Sequence, residues 1–339
     1  MSDAAYGTQP VAREEGMANN DGFWSAQSMW LGLGVVAAMM FGWKAFGPQS
    51  ETSAAPVAHL NVGSGAEARV ESLTRAQCLA RPDRLWVVMS NGVECISYVA
   101  STNVQGAGNV LVFLDGDVGE DRIAGAAQEK SRESWQSRIG PLSSRLGVPV
   151  VVIGRPGLMG SSGFHLLGGV RDESHVIDAT MDALRERLGF RRVAMAGQSG
   201  GARIIAQLMV IGRRDIACAA MGSGAFDVPR RRGGGTTYTN IFGDPGSRFL
   251  VPMLRAGEIP VVSSRRSFVI GDPRDTVAPF SEQKAWADKL GQLNHHVQLI
   301  EVKATDPEHH GAAQKALMAA AMCLQDASDG DIRKALEAD

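Results

Sequence analysis

The sequence predicts an α/β protein, built on a mostly parallel β-sheet with helices on both faces. Three observations predict it. Short, uniformly apolar runs such as residues 109–114 (NVLVFL) and 148–153 (VPVVVI) read as strands buried on both sides. Amphipathic stretches of helical period stand between such runs, which implies right-handed crossovers between parallel strands. Residues 193–208 (VAMAGQSGGARIIAQL) pass from an apolar strand into an apolar helical pattern through a tight glycine-rich turn.

The chain has 339 residues, 44% of them hydrophobic and 21% charged, with 34 basic against 36 acidic side chains. That is an ordinary globular composition, long enough for one large core. A formal charge of -2 and few aromatics exclude an advertised nucleic-acid surface, so no nucleic-acid partner is expected. The basic run Arg230-Arg231-Arg232 precedes three glycines and reads as a solvated loop.

Taken in order, residues 1–21 are polar and small, and are expected to form a disordered tail. Residues 22–43 (GFWSAQSMWLGLGVVAAMMFGW) hold no charged side chain and are long enough to cross a bilayer as a helix, with Trp24, Trp30 and Trp43 near the ends. A single-pass membrane anchor is expected there, so the lipid bilayer is an expected partner. A cleaved signal peptide fits less well, because the basic n-region is missing. Residues 44–72 turn to Pro, Ser, Ala and Gly and read as a linker. Arg13 and Lys44 lie on opposite sides of the apolar segment, so the charge rule leaves orientation open.

The folded domain is expected over residues 73–339. Residues 85–89 and 93–99 read as two strands joined by the Asn-Gly turn at Ser90-Asn91-Gly92. The strand at 109–114 follows, then a helix over 133–146, bent or interrupted at Gly140-Pro141. Next come the strand at 148–153, a helix over 173–188, the strand at 193–196 and the helix that carries Ile204, Ile205 and Leu208. Residues 216–221, 268–270 and 297–302 supply the later strands, with helices over about 280–290 and 311–324. Residues 229–265, rich in Gly, Arg and Thr, break this rhythm and are expected to form a small lid. Cys78 and Cys95 flank one strand and could meet; whether they, or Cys218 and Cys323, are bonded stays open. Paired cysteines would place the domain outside the cytoplasm.

The turn Gly197-Gln198-Ser199-Gly200-Gly201 makes Ser199 a candidate nucleophile, because a serine at so sharp a strand-to-helix turn is forced out above the sheet. A serine hydroxyl needs a base, and the base an orienting carboxylate. Downstream, Gly271-Asp272-Pro273-Arg274-Asp275-Thr276-Val277-Ala278-Pro279 follows one strand, and Asp306-Pro307-Glu308-His309-His310-Gly311 follows the last. The order is serine, acid, histidine, each at the carboxyl end of an expected parallel strand, where open α/β sheets bind ligands. Asp272 or Asp275 and His309 or His310 could fill the last two roles.

From about residue 85 to the C-terminus the chain resembles the α/β-hydrolase superfamily: an opening hairpin, alternating strands and helices, the elbow GQSGG, an acid loop and a late histidine. The resemblance implies an eight-stranded sheet, with Ser199 as nucleophile, Asp275 as acid and His310 as base. Asp275 is preferred because Asp275-Thr276-Val277-Ala278-Pro279 resembles the D-x-V-x-P loop of the family, although it stands one residue further from Gly271. His310 is preferred because a glycine follows it and the helix begins there. Gly200 would give one backbone N–H of the oxyanion hole, and the loop Asp115-Gly116-Asp117-Val118-Gly119 the other, at Asp117. Many members of the family have His-Gly where this chain has Asp-Gly. Residues 155–163 (RPGLMGSSG) resemble the R-G-x-G-x-S loop of peptidase-like and esterase-like members, and Arg155 is expected to tie loops together. His165 and His175 are read as ordinary surface or packing residues.

No metal, flavin or nucleotide spacing is found, so no cofactor and no metal are expected. The expectation is a membrane-tethered serine hydrolase, its domain on the extracytoplasmic side, that cleaves a small-molecule carboxylic ester through an acyl-enzyme. A serine peptidase of the prolyl-oligopeptidase type, acting on amides, is the second enzyme reading. A non-catalytic membrane-anchored binding protein of the same fold is the reading from another class.

Overall fold

A computed structural model of the chain describes residues 73–90, 92–117, 126–163, 169–227 and 250–338. The strands are β1 (Arg84–Met89), β2 (Gly92–Ala100), β3 (Asn109–Leu114), β4 (Val150–Ile153), β5 (Arg192–Gln198), β6 (Ile216–Gly222), β7 (Arg266–Gly271) and β8 (Val297–Glu301). They form one sheet in the order β1-β2-β4-β3-β5-β6-β7-β8. β2 runs antiparallel to both β1 and β4, and every pair from β4 through β3 to β8 is parallel. The hairpin therefore closes one edge, and the parallel part carries the expected site.

The helices are α1 (Arg75–Leu79), α2 (Ala126–Leu146), α3 (Gly169–Leu188), α4 (Gly200–Val210), α5 (Pro252–Arg255), α6 (Phe280–Gln292), α7 (Ala313–Leu324) and α8 (Asp329–Glu337). Alternation along each strand divides the core into two layers. Val110, Val112 and Leu114 of β3 join Ile177 and Met181 of α3, Ile205 and Leu208 of α4, and Trp286 of α6. Leu111 and Phe113 of the same strand join Trp135 and Ile139 of α2, Leu317 and Leu324 of α7, and Ile332 of α8. Both faces of the central parallel strands are buried, which is why they are largely apolar, while the edge strand β8 (VQLIE) is only partly buried.

Several boundaries differ from the sequence reading. α2 is continuous through Pro141, which is exposed, so the helix expected to be bent or interrupted at Gly140-Pro141 is not interrupted there. Proline inside a helix costs roughly 3 kcal/mol. Here Trp135, Ile139 and Leu142, at helical spacing, pack into the core and outweigh that loss. α8 was not anticipated, although its signals are present: Ser328 accepts the N–H of Asp331 as an N-cap, and Ile332 and Leu336 make a buried i, i+4 pair. α1 is likewise new, started by a capping box between Thr74 and Gln77.

Two disulfides are present. Cys78–Cys95 joins α1 to β2, and Cys218–Cys323 joins β6 to α7. The expected tail, anchor and linker over residues 1–21, 22–43 and 44–72 lie outside the described residues, as do residues 229–249 of the expected lid and His165. Of that lid, residues 250–265 are described, and Leu250, Ala256 and Ile259 pack into the core. Among the described residues no helix is long and apolar enough to cross a membrane.

Candidate active site

The candidate site lies where β5, β7 and β8 end. β5 gives way to α4 at Ser199, whose backbone has φ 52° and ψ -113°, a conformation that costs energy for any residue with a Cβ. The turn is held from both sides: Ser199 N–H donates to Gly222 O at 2.8 Å, and Arg203 N–H donates to Ser199 O at 3.0 Å. Ser199 occupies the N-cap position of α4, yet its side chain makes no capping hydrogen bond, so the hydroxyl is not committed to the helix.

Glycines let the turn close. A methyl at Gly201 would overlap the carbonyl of Leu114 at the end of β3, and a methyl at Gly200 would overlap the Asp117 carboxylate. Gly200 is the first residue of α4, and the first N–H groups of a helix lack intrahelical partners and sit at the positive end of its dipole. Gly116 stands beside the turn, with the Ser199 Cβ 3.4 Å from where its own Cβ would be.

The two acid and histidine alternatives form two separate pairs. His310 Nδ1 lies 2.9 Å from Asp275 Oδ2 and 3.1 Å from Oδ1, within hydrogen-bond reach of both. The Asp275 carboxylate also accepts the N–H groups of Val277 and Ala278 and the side-chain amide of Gln283, at 2.9, 2.8 and 3.2 Å. His309 Nδ1 is 3.8 Å from Asp272 Oδ2 and makes no hydrogen bond. Asp272 is instead occupied by Arg274 and by the N–H of Ala304. The Arg274 guanidinium, aided by those N–H donors against the effect of burial, holds its carboxyl well below the usual range.

Est1E from Butyrivibrio proteoclasticus with ferulic acid bound is similar at a TM-score of 0.51 and 12% identity, over 71% of this chain and 98% of that one. An esterase from Pyrobaculum calidifontis is similar at a TM-score of 0.50 and 12% identity, over 72% of this chain and 84% of that one. No family model and no curated protein matches the sequence. The fold is that of the α/β-hydrolases.

Within this α/β-hydrolase fold, Asp117 is bound up with three other charges. Arg155, fully buried after β4, donates to Glu173 Oε1 at 2.6 Å and Oε2 at 3.0 Å, to Asp117 Oδ1 at 2.7 Å and to Asp115 O at 3.0 Å. Arg203 of α4 donates to Asp117 Oδ2 at 3.1 Å. Two arginines and two carboxylates thus tie the ends of β3 and β4 to α3 and α4, beneath the turn. Burial by itself would lower the Arg155 pKa, but Glu173 and Asp117 more than offset it and the net shift is upward. Burial pushes the Glu173 carboxyl up, against the pull of Arg155 and Arg203. The tie expected of Arg155 is present, and its partners Glu173 and Arg203 were not anticipated. Their signal in the sequence was a charged residue on a helix face that is otherwise apolar.

Gln198 was also missed. It ends β5, and its side chain donates to His310 O at 2.7 Å and accepts from Ala312 N–H at 3.0 Å. The Asp306 carboxylate accepts the N–H groups of His310 and Gly311 at 2.9 and 2.6 Å, which fixes the same segment from within its own loop. His175 is exposed on α3, away from these contacts. Among the described residues no group of three or more His, Cys, Asp or Glu is placed to hold a metal ion.

Proposed function

We propose that the protein is a serine hydrolase that cleaves a small-molecule carboxylic ester through an acyl-enzyme on Ser199. His310 takes the hydroxyl proton as Ser199 attacks the ester carbonyl, and later returns a proton to the leaving alcohol. Asp275 holds the imidazole with its Nδ1–H donated and stabilises the imidazolium that forms. The backbone N–H groups of Gly200 and Asp117 receive the oxyanion. Water activated by His310 then releases the acid.

The observation that carries this reading is the strained Ser199 on an elbow of an α/β-hydrolase fold, with His310 and Asp275 paired at 2.9 Å on the loops beside it. The esterase neighbours, one with ferulic acid bound, support an ester of small size as substrate. Residues 22–43 are the proposed membrane anchor, and the two disulfides support a domain on the extracytoplasmic side.

Labelling of Ser199 by a fluorophosphonate probe tests the chemistry. Wild type should label and turn over a p-nitrophenyl ester, and Ser199→Ala should do neither. A wild-type chain that neither labels nor hydrolyses any such ester overturns the reading. The same probe in a membrane-impermeant form, applied to intact and to permeabilised cells, tests the side of the membrane.

A further inference from the structure

Gln198 is buried, and its planar amide reaches a chain segment 112 to 114 residues away in sequence. It meets a carbonyl and an N–H two residues apart, His310 O and Ala312 N, which also bond each other across a local turn at 3.1 Å, so the amide clamps that turn at both ends. Ala312 is itself fully buried, and its carbonyl lies 3.0 Å from where a Cβ on Gly222 would be. We propose that Gln198 is a positioning residue, whose amide sets the register of the His310 segment against the strand that carries Ser199. The proposal rests on the serine-hydrolase reading above.

The other hydrogen bonds of the His309–His310 loop do not cross to β5. Asp306 holds the N–H groups of His310 and Gly311 from within the same loop, and Asp275 holds the ring. Thr276 N–H donates to Glu308 O at 3.1 Å, again joining the acid loop to the histidine loop. All of these hang from β7 and β8, and so fix the imidazole relative to Asp275. Ser199 belongs to β5 and α4. Among the described residues Ser199 and His310 share no hydrogen bond, and the hydrogen bonds that cross from β5 to the histidine segment are the two made by Gln198. A proton transfer needs its partners placed to a fraction of an ångström, so the clamp acts on the reaction through His310.

The chemistry explains the residue type. One rigid group must donate at one end and accept at the other. Glutamate keeps the length and the acceptor but sets a carboxylate oxygen against the His310 carbonyl. Methionine keeps the length and loses both bonds.

The test uses the full chain, with Gln198→Met and Gln198→Glu assayed on a p-nitrophenyl ester beside wild type and Ser199→Ala. The expected result is a fall in kcat of roughly 10–100-fold in both Gln198 variants with KM little changed, because misplacement by about 1 Å acts on the chemical step. Hydrogen exchange gives the second readout: the Ala312 amide should exchange at least about tenfold faster in Gln198→Met, with the β5 amides unchanged. Retained kcat in Gln198→Met, a change in KM alone, or unchanged exchange at Ala312 overturns the proposal. If wild type and Ser199→Ala are equally inactive, it is the hydrolase reading that fails. Exchange then still decides the clamp, faster exchange supporting it and unchanged exchange overturning it.

Discussion

The carboxylate of Asp117 lies against Gly200 so closely that a methyl at Gly200 would occupy the same space. Arg155 and Arg203 hold that carboxylate, so it has little freedom to withdraw. The requirement for glycine after Ser199 is therefore set by a neighbouring loop as well as by the turn itself. Gly200→Ala should lower kcat by about 100-fold or more, by displacing the proposed oxyanion N–H or the Asp117 loop. Gly257→Ala, at a position with open space around it, should not change kcat and serves as the control. Steady-state ester hydrolysis by the two variants checks this.

The two acid–histidine pairs make opposite predictions for near-identical substitutions. His310→Asn and Asp275→Asn should each lower kcat by ~10⁴-fold or more, since one removes the proposed base and the other the proposed group that orients it. His309→Asn should leave kcat near the wild-type value. Asparagine tolerates the φ of 56° at that position, so the loop is not disturbed. Equal losses in the two histidine variants would remove the distinction between the pairs.

Asp272 should matter to stability rather than to turnover. Its folded-state pKa is held below the unfolded value of 3.8 by Arg274 and by backbone N–H donors. A depressed acid of this kind contributes stability that is complete above its unfolded pKa and is lost as pH falls through the folded one. Asp272→Asn should therefore unfold at lower urea concentration at pH 7, and the difference from wild type should shrink as the pH is lowered below about 4. Urea unfolding at a series of pH values checks the sign.

The disulfides should contribute unequally. Cys218–Cys323 closes 105 residues of chain and Cys78–Cys95 closes 17. Loop-closure entropy then gives about 4.7 kcal/mol for the first and about 3 kcal/mol for the second. Replacing the first pair by serine should lower the unfolding free energy more than replacing the second, as measured by denaturant titration without reductant. The first pair also anchors α7, which follows directly on the histidine segment, so its loss should reduce activity as well.

The sequence by itself determined the class of fold and the succession of its eight strands, though not the short helices α1, α5 and α8. Strands buried on both faces must be apolar throughout, and such runs separated by helical patterns leave a parallel sheet as the arrangement that buries them. It also determined that Ser199 stands at a sharp turn, because Gly-Gln-Ser-Gly-Gly between a strand and a helix admits little else. Pairing across long separations was left to the tertiary structure. Local spacing could not separate His310 from His309 or Asp275 from Asp272. What distinguishes the two pairs, one at 2.9 Å and the other at 3.8 Å, depends on how the loops after β7 and β8 meet. The same holds for Arg155, Glu173, Asp117 and Arg203, and for the reach of Gln198 to His310 and Ala312. Hydrophobic periodicity is a local property that each segment carries in its own residues. A buried polar contact is specified jointly by residues up to 114 positions apart, and exists only once the sheet has brought their strand ends together.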